Sequence, residues 1–118
     1  RPTILARDGK VFMTIGSPGG RSIINTVLLA ILGVVDFGMN VQEAIDAPRF
    51  HHQWLPDELR YEKHGLSPDT RALLAARGHT LVEVAGQGIA QGIVYDAKAD
   101  VLEGASDRRD RDGAAIGR

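Results

Sequence analysis

The chain contains no cysteine. Disulfides, thiolate zinc sites and cysteine nucleophiles are therefore excluded. The compartment stays open, because oxidising and reducing locations both tolerate a cysteine-free chain. Net charge is nearly absent as well: 14 Lys and Arg stand against 15 Asp and Glu, giving −1 at pH 7. No bulk attraction to nucleic acid or to an anionic membrane is expected. The longest apolar run, residues 27–35, is about half the length that spans a bilayer. No signal peptide is visible. The chain opens Arg1-Pro2-Thr3-Ile4 with no methionine before Met13, which reads as an internal fragment or a processed chain. There is no Gly-Lys-Ser/Thr of a phosphate loop, no G-x-G-x-x-G, no H-E-x-x-H and no G-x-S-x-G elbow. No internal repeat or low-complexity linker occurs.

What is present suits one soluble domain or a piece of one: 118 residues, 43% hydrophobic and 25% charged. Such a length supports a modest core. The organising stretch is Gly16-Ser17-Pro18-Gly19-Gly20 with the apolar segment after it, residues 22–37. It reads as strand, tight turn, then helix. Helix starts leave backbone N–H groups without partners and carry partial positive charge. A turn without side chains lets another group approach those donors. The residues leave two readings open: a tight turn needing positive φ, or a site for a bound anion or a developing oxyanion.

Around that stretch the elements follow from local pattern. Two β-rich runs, 3–6 and 11–15, flank Asp8-Gly9 and predict a hairpin. Residues 22–37 are apolar nearly all round, which predicts a helix buried on most faces, with Gly38 as its C′ residue. Asn40 and Glu43 form a capping-box pattern for a short helix ending before Pro48. Residues 49–56 are irregular and rich in His51, His52 and Trp54; Trp54 is expected to be a packing anchor with its N–H bonded. A strand is predicted at 59–62. Ser67-Pro68 opens a further helix with Leu73, Leu74 and Ala76 facing inward and Gly78 at its end. Strands follow at 79–84, 89–95 and 101–105, and the charged tail from Ser106 is expected to be solvated. The fold class is α+β.

Other candidate sites weaken on inspection. His51 and His52 are adjacent and would point to opposite sides of an extended chain. His64 and His79 lack a ligand spacing, so hydrogen-bonded structural histidines are expected and no metal. Asp107, Asp110, Asp112 and Gly113 carry part of a calcium-loop spacing. Arg108 stands where the first ligand belongs, and no Glu follows at the bidentate position. The residues alone therefore yield a globular α+β piece with one candidate turn and no identifiable nucleophile or base.

The same residues carry a resemblance. The segments Gly16-Ser17-Pro18-Gly19-Gly20, Asp36-Phe37-Gly38-Met39-Asn40-Val41 and Ala47-Pro48-Arg49-Phe50-His51-His52-Gln53-Trp54-Leu55-Pro56-Asp57-Glu58-Leu59 resemble the C-terminal part of the γ-glutamyltranspeptidase small subunit. Gly65-Leu66-Ser67-Pro68-Asp69-Thr70, Arg77-Gly78-His79 and Gly104-Ala105-Ser106-Asp107 continue the likeness over essentially the whole chain. It implies the C-terminal portion of an N-terminal-nucleophile hydrolase, an αββα four-layer sandwich made as a self-cleaving zymogen. Read this way, the chain divides into a hairpin (1–16), the turn and helix (17–38), a short helix and irregular segment (39–56), strand, helix and C-terminal strands (57–105), and a tail (106–118).

The implied reaction is attack by an N-terminal threonine, its own amino group as base, on the γ-glutamyl amide of glutathione and related compounds. The γ-glutamyl group then passes to water, an amino acid or a peptide. Gly19 and Gly20 match the family's oxyanion-hole pair. The nucleophile, the residues that read the substrate α-amino group and the serine pair for its carboxylate are implied to lie upstream, and Thr3 is not the nucleophile. The chain alone is thus expected to be inactive. No cofactor is implied. The implied partners are the rest of the small subunit and the large subunit, with a periplasmic or extracellular location.

Three departures stand out: Arg21-Ser22 in place of the family's Ser-Arg, Gly88-Ile89-Ala90-Gln91-Gly92-Ile93 in place of Gly-Ser-Thr-Gln-Ser-Ile, and Arg108 where proline is usual. A cephalosporin (glutaryl) acylase of the same fold is one alternative. A non-catalytic structural fragment is another, and its open apolar face and sheet edge would favour dimerisation or element swapping.

Overall fold

The computed structural model describes residues 2–117; Arg1 and Arg118, which fall within the first and last predicted segments, lie outside them. The chain forms two compact units. The first runs up to Ala47 and resumes at Gly88; the second is Pro48–Gln87.

In the first unit, the hairpin predicted at Asp8-Gly9 joins β1 (Thr3–Arg7) to β2 (Lys10–Gly16). Asp8 and Gly9 have φ of 52° and 76°, the left-handed pair that such a turn needs. β2 then pairs antiparallel with β3 (Gln91–Asp96), and β3 with β4 (Val101–Ser106). The sheet order β1-β2-β3-β4 is antiparallel throughout. One sheet face supplies Met13, Ile15, Val94 and Ala105 to the core. Helix α1 (Ile23–Val35) covers it with Val27 and Ala30, and α2 (Val41–Asp46) with Val41 and Ile45. The capping box is formed: Asn40 Oδ1 accepts from Glu43 N–H, and Asn40 N–H donates to Glu43 Oε2, each at 2.9 Å. Gly38, at φ 66°, sits just past the end of α1.

The expectation that α1 is buried on most faces is corrected. Thr26, Val27, Ala30 and Gly33 are buried, while Ile24 is 77% and Leu28 47% exposed. The helix is apolar all round, but this unit supplies a partner for only one stripe. The sheet repeats the pattern on its other face, where Ile4, Ile93 and Leu102 are exposed.

The tail is also corrected. Asp107 is 1% exposed. Its carboxylate accepts from Ala90 N–H at 2.8 Å, and from the backbone N–H and Nη1 of Arg109 at 3.0 Å each. Arg109 in turn donates to the Ile45 and Ala47 carbonyls at the end of α2. A charge that looks solvated in sequence is buried because backbone donors surround it.

The second unit holds the two-residue β5 (Phe50–His51), β6 (Leu59–Glu62) and β7 (Leu81–Val84), with α3 (Pro68–Ala76) between β6 and β7. β6 and β7 are parallel and β5 is antiparallel to β6. Ser67 Oγ caps α3 by accepting from Thr70 N–H. The Ser67 hydroxyl, followed by the first-turn N–H groups, holds the Asp69 carboxyl below its usual range. No residue of α3 is buried, and Leu73 is 64% exposed, which corrects the inward face expected for Leu73, Leu74 and Ala76. The strands begin two residues later than predicted at Leu81 and Gln91.

The core of this unit is largely polar. Arg49, Glu62 and Gln87 are 3%, 5% and 8% exposed. The Glu62 carboxylate accepts from Arg49 N–H at 3.0 Å and Gln87 N–H at 2.6 Å. Arg49 Nη1 donates to the Gln87 carbonyl, and Gln87 Nε2 to the Arg49 carbonyl. The ends of the segment are thereby tied to each other through one carboxylate.

Two stability outcomes are expected on full-length protein followed by thermal denaturation. Glu62→Ala strands two buried N–H groups, each costing about 1–3 kcal/mol. It should lower Tm far more than an exposed substitution such as Glu103→Ala. Gly33→Ala would place its Cβ 2.9 Å from Ala44 Cβ. Overpacking of about 1–3 kcal/mol outweighs the helix-propensity gain of about 1 kcal/mol, so the net effect should be destabilising.

Candidate active-site turn

β2 ends at Gly16, and the chain makes a single 3-10 turn at Gly20–Ser22 before α1 begins. Gly19 has φ 142° and Gly20 φ 58°. Two successive residues at positive φ are the physical reason for two glycines, since L side chains are disfavoured there. Pro18, Gly19, Gly20 and Arg21 are exposed, whereas Ser17, Ser22 and Thr26 beneath them are buried. Neither the Gly19 nor the Gly20 N–H donates to another described residue. Two adjacent backbone donors therefore lie in an exposed turn without an acceptor among the described residues, above buried Ser17, Ser22 and Thr26.

Further support comes from a segment distant in sequence. Gly88, at φ 70°, lies against the turn: a Cβ on Gly19 would come within 3.0 Å of Gly88 Cα. A Cβ on Gly88 would lie 2.6 Å from Thr26 Oγ1 and 2.8 Å from Ser17 Oγ. Ile89 N–H donates to Ser17 Oγ at 3.1 Å and, more weakly, to the Pro18 carbonyl at 3.4 Å. One residue further, Ala90 N–H is held by the buried Asp107. In the sequence, Gly88 stands out only as one of three residues, with Gln91 and Ile93, kept in a run that otherwise departs from the family pattern. Its function as the floor of the turn follows from the tertiary approach.

The Arg21-Ser22 order has a local consequence. Ser22 occupies the N-cap of α1 but makes no capping bond. Its hydroxyl instead donates back to the Gly19 carbonyl at 2.9 Å, beside Ser22 N–H at 3.2 Å.

The other candidates fall elsewhere. His51 is buried, with Nε2 2.9 Å from Gln53 Oε1; His52 is exposed, with Nε2 3.0 Å from Asp57 Oδ1 and Nδ1 accepting from Trp54 N–H. The two rings thus differ in exposure and partner, as hydrogen-bonded structural histidines. Trp54 is 76% exposed with φ 73°, which corrects its expected packing within this chain. Thr3 lies on β1 at the sheet edge.

Substitutions should separate backbone strain from crowding. Gly20→Ala meets no neighbour and should cost only the left-handed penalty, about 1–2 kcal/mol. Gly88→Ala adds the collision with Thr26 and Ser17. In the full-length protein it should unfold at a distinctly lower temperature than Gly20→Ala.

Comparison with known proteins places the chain in a family. The family model described as Gamma-glutamyltranspeptidase matches residues 1–117. The chain is 50% identical over 116 residues to the glutathione hydrolase proenzyme of Escherichia coli (strain K12), covering 98% of this chain and 20% of that protein. It is 37% identical to the glutathione hydrolase proenzyme of Bacillus subtilis (strain 168), covering 98% of this chain and 19% of the relative. Among solved structures, the Helicobacter pylori gamma-glutamyltranspeptidase T380A mutant superposes with a TM-score of 0.88 at 45% identity, over 93% of this chain and 60% of that one. The chain thus spans about a fifth of the length of these curated relatives. No helix among the described residues is long and apolar enough to cross a membrane. With its α+β architecture and its match from end to end of the described residues, this chain belongs to the gamma-glutamyltranspeptidase family and is a piece of a larger protein of that family.

Proposed function

We propose that the chain is the C-terminal part of a γ-glutamyltranspeptidase small subunit and that Gly19 and Gly20 form its oxyanion hole. The observation that carries this reading is the pair of adjacent backbone N–H groups, in an exposed turn, with no acceptor among the described residues. Attack on a γ-glutamyl amide moves negative charge onto the carbonyl oxygen. Two fixed N–H donors stabilise that charge more than they stabilise the neutral carbonyl, which lowers the barrier and not merely the binding energy. The relatives named glutathione hydrolase proenzyme support glutathione and related γ-glutamyl compounds as substrates, and maturation from a precursor. The nucleophile would be an N-terminal threonine outside this chain, so the chain supplies half of the site. Water, an amino acid or a peptide would accept the γ-glutamyl group.

The test is steady-state hydrolysis of γ-glutamyl-p-nitroanilide by the full precursor after maturation. Gly19→Val or Gly20→Val puts a β-branched residue at positive φ and turns a donor away. Loss of one oxyanion donor lowers kcat by ~10²–10³, and unchanged turnover would remove the oxyanion role. Glutaryl-p-nitroanilide run beside it separates a glutaryl acylase from a γ-glutamyl enzyme. The exposed Ile24, Leu28, Ile93 and Leu102 would be covered by the rest of the protein. The isolated chain should therefore self-associate in light scattering, and a stable monomer would count against this. Cell fractionation should place the mature protein in the periplasm or outside the cell.

A further inference from the structure

Two N–H donors serve an oxyanion only when their direction is held, and a glycine turn does not hold itself. Each N–H shares a rigid plane with the preceding carbonyl and points away from it. The Gly19 N–H is therefore aimed by the Pro18 carbonyl, and the Gly20 N–H by the Gly19 carbonyl. Both carbonyls are tied. The Pro18 oxygen accepts from Ser17 Oγ at 2.5 Å and from Ile89 N–H at 3.4 Å. The Gly19 oxygen accepts from Ser22 Oγ at 2.9 Å and Ser22 N–H at 3.2 Å.

We propose that Ser17 and Ser22 are positioning residues, one for each donor. The Ser17 hydroxyl aims the Gly19 N–H, and the Ser22 hydroxyl aims the Gly20 N–H. The inference rests on the oxyanion reading of the turn given above. Both hydroxyls lie below the exposed turn, with Ser17 5% and Ser22 9% exposed. Ser22 stands where a helix cap belongs yet makes no capping bond, so its hydroxyl serves the turn and not the helix. Ser17 uses both its capacities: it donates to the Pro18 carbonyl and accepts from Ile89 N–H. The missing side chain at Gly88 leaves room for this, since a Cβ there would sit 2.8 Å from Ser17 Oγ.

Each carbonyl keeps one backbone bond when its serine is removed, so the donor is loosened and not lost. Against the ~10²–10³ for a lost donor, kcat should fall about tenfold in Ser17→Ala and in Ser22→Ala. The double variant should lose about a hundredfold, because the two planes are held separately. KM should change less than about twofold, as the interaction matters in the transition state.

The experiment uses the matured full-length protein. It measures kcat per titrated nucleophile on γ-glutamyl-p-nitroanilide, and inhibition by a boronic acid analogue of the γ-glutamyl group, which becomes a tetrahedral anion when attacked. The boronate inhibition constant should rise in parallel with the loss of kcat/KM, and Ser22→Thr should restore both. A purely structural serine would lower Tm and the active fraction but leave both per-site values at the wild-type level. That result overturns the proposal. Crystal structures of Ser17→Ala and Ser22→Ala read the peptide planes directly: rotated planes support the proposal and unmoved planes overturn it, even for a variant with too little active enzyme to assay. Failure of the oxyanion reading looks different, because the wild type would then cleave neither anilide or the Gly19 and Gly20 variants would keep full turnover.

Discussion

The structure around the glycine turn depends on the approach of two backbone segments that leaves no room for a side chain. Gly19 and Gly88 meet with only 3.0 Å between a would-be Cβ and the opposing Cα. That approach brings Ile89 N–H onto Ser17 and the Pro18 carbonyl. It also sets Thr26, 1% exposed, beneath Gly88. The start of α1 is thereby pinned to the start of β3. The exposed turn keeps two donors without an acceptor among the described residues, while the Ser17 and Ser22 hydroxyls and the Pro18 and Gly19 carbonyls are engaged. Backbone donors held this way need no reorganisation when charge develops, which is the main electrostatic advantage of a preformed site.

The two units are stabilised by different means. In the first, a sheet face and two helices bury Met13, Ile15, Val27, Ala30, Ile45 and Val94, and the apolar area removed from water stabilises the fold. The second has little apolar surface to bury, with Tyr61 its one buried large hydrophobic residue among those described. Its segment is closed by the Glu62 carboxylate between Arg49 and Gln87. The Asp107 carboxylate serves similarly in the first unit, where it organises Ala90 and Arg109. Buried carboxylates are tolerated here because each accepts several N–H bonds.

Local signals were legible wherever the physics is local. Asp8-Gly9, the Asn40–Glu43 capping box, Ser67-Pro68 and Gly38 each act on neighbouring residues, and each element predicted from them formed within a few residues of its expected bounds. Burial was legible only in part. Ile24 and Leu28 of α1 and Leu73 of α3 are apolar in sequence yet exposed, because nothing among the described residues covers them. Asp107 failed in the opposite sense: a charged tail pattern does not reveal that backbone donors from Ala90, just before β3, and Arg109, after β4, converge on one carboxylate.

The candidate site divides along the same line. The paired glycines, their place between strand and helix, and the family were determined by the sequence itself, since positive φ and helix-start donors are properties of consecutive residues. The way those donors are held was decided only by the tertiary structure. It depends on Gly88 and Ile89, about seventy residues away, and on which carbonyl each serine hydroxyl reaches. Ser22 stands at the N-cap of α1, yet in the folded chain its hydroxyl donates back to the Gly19 carbonyl at 2.9 Å and not to the helix.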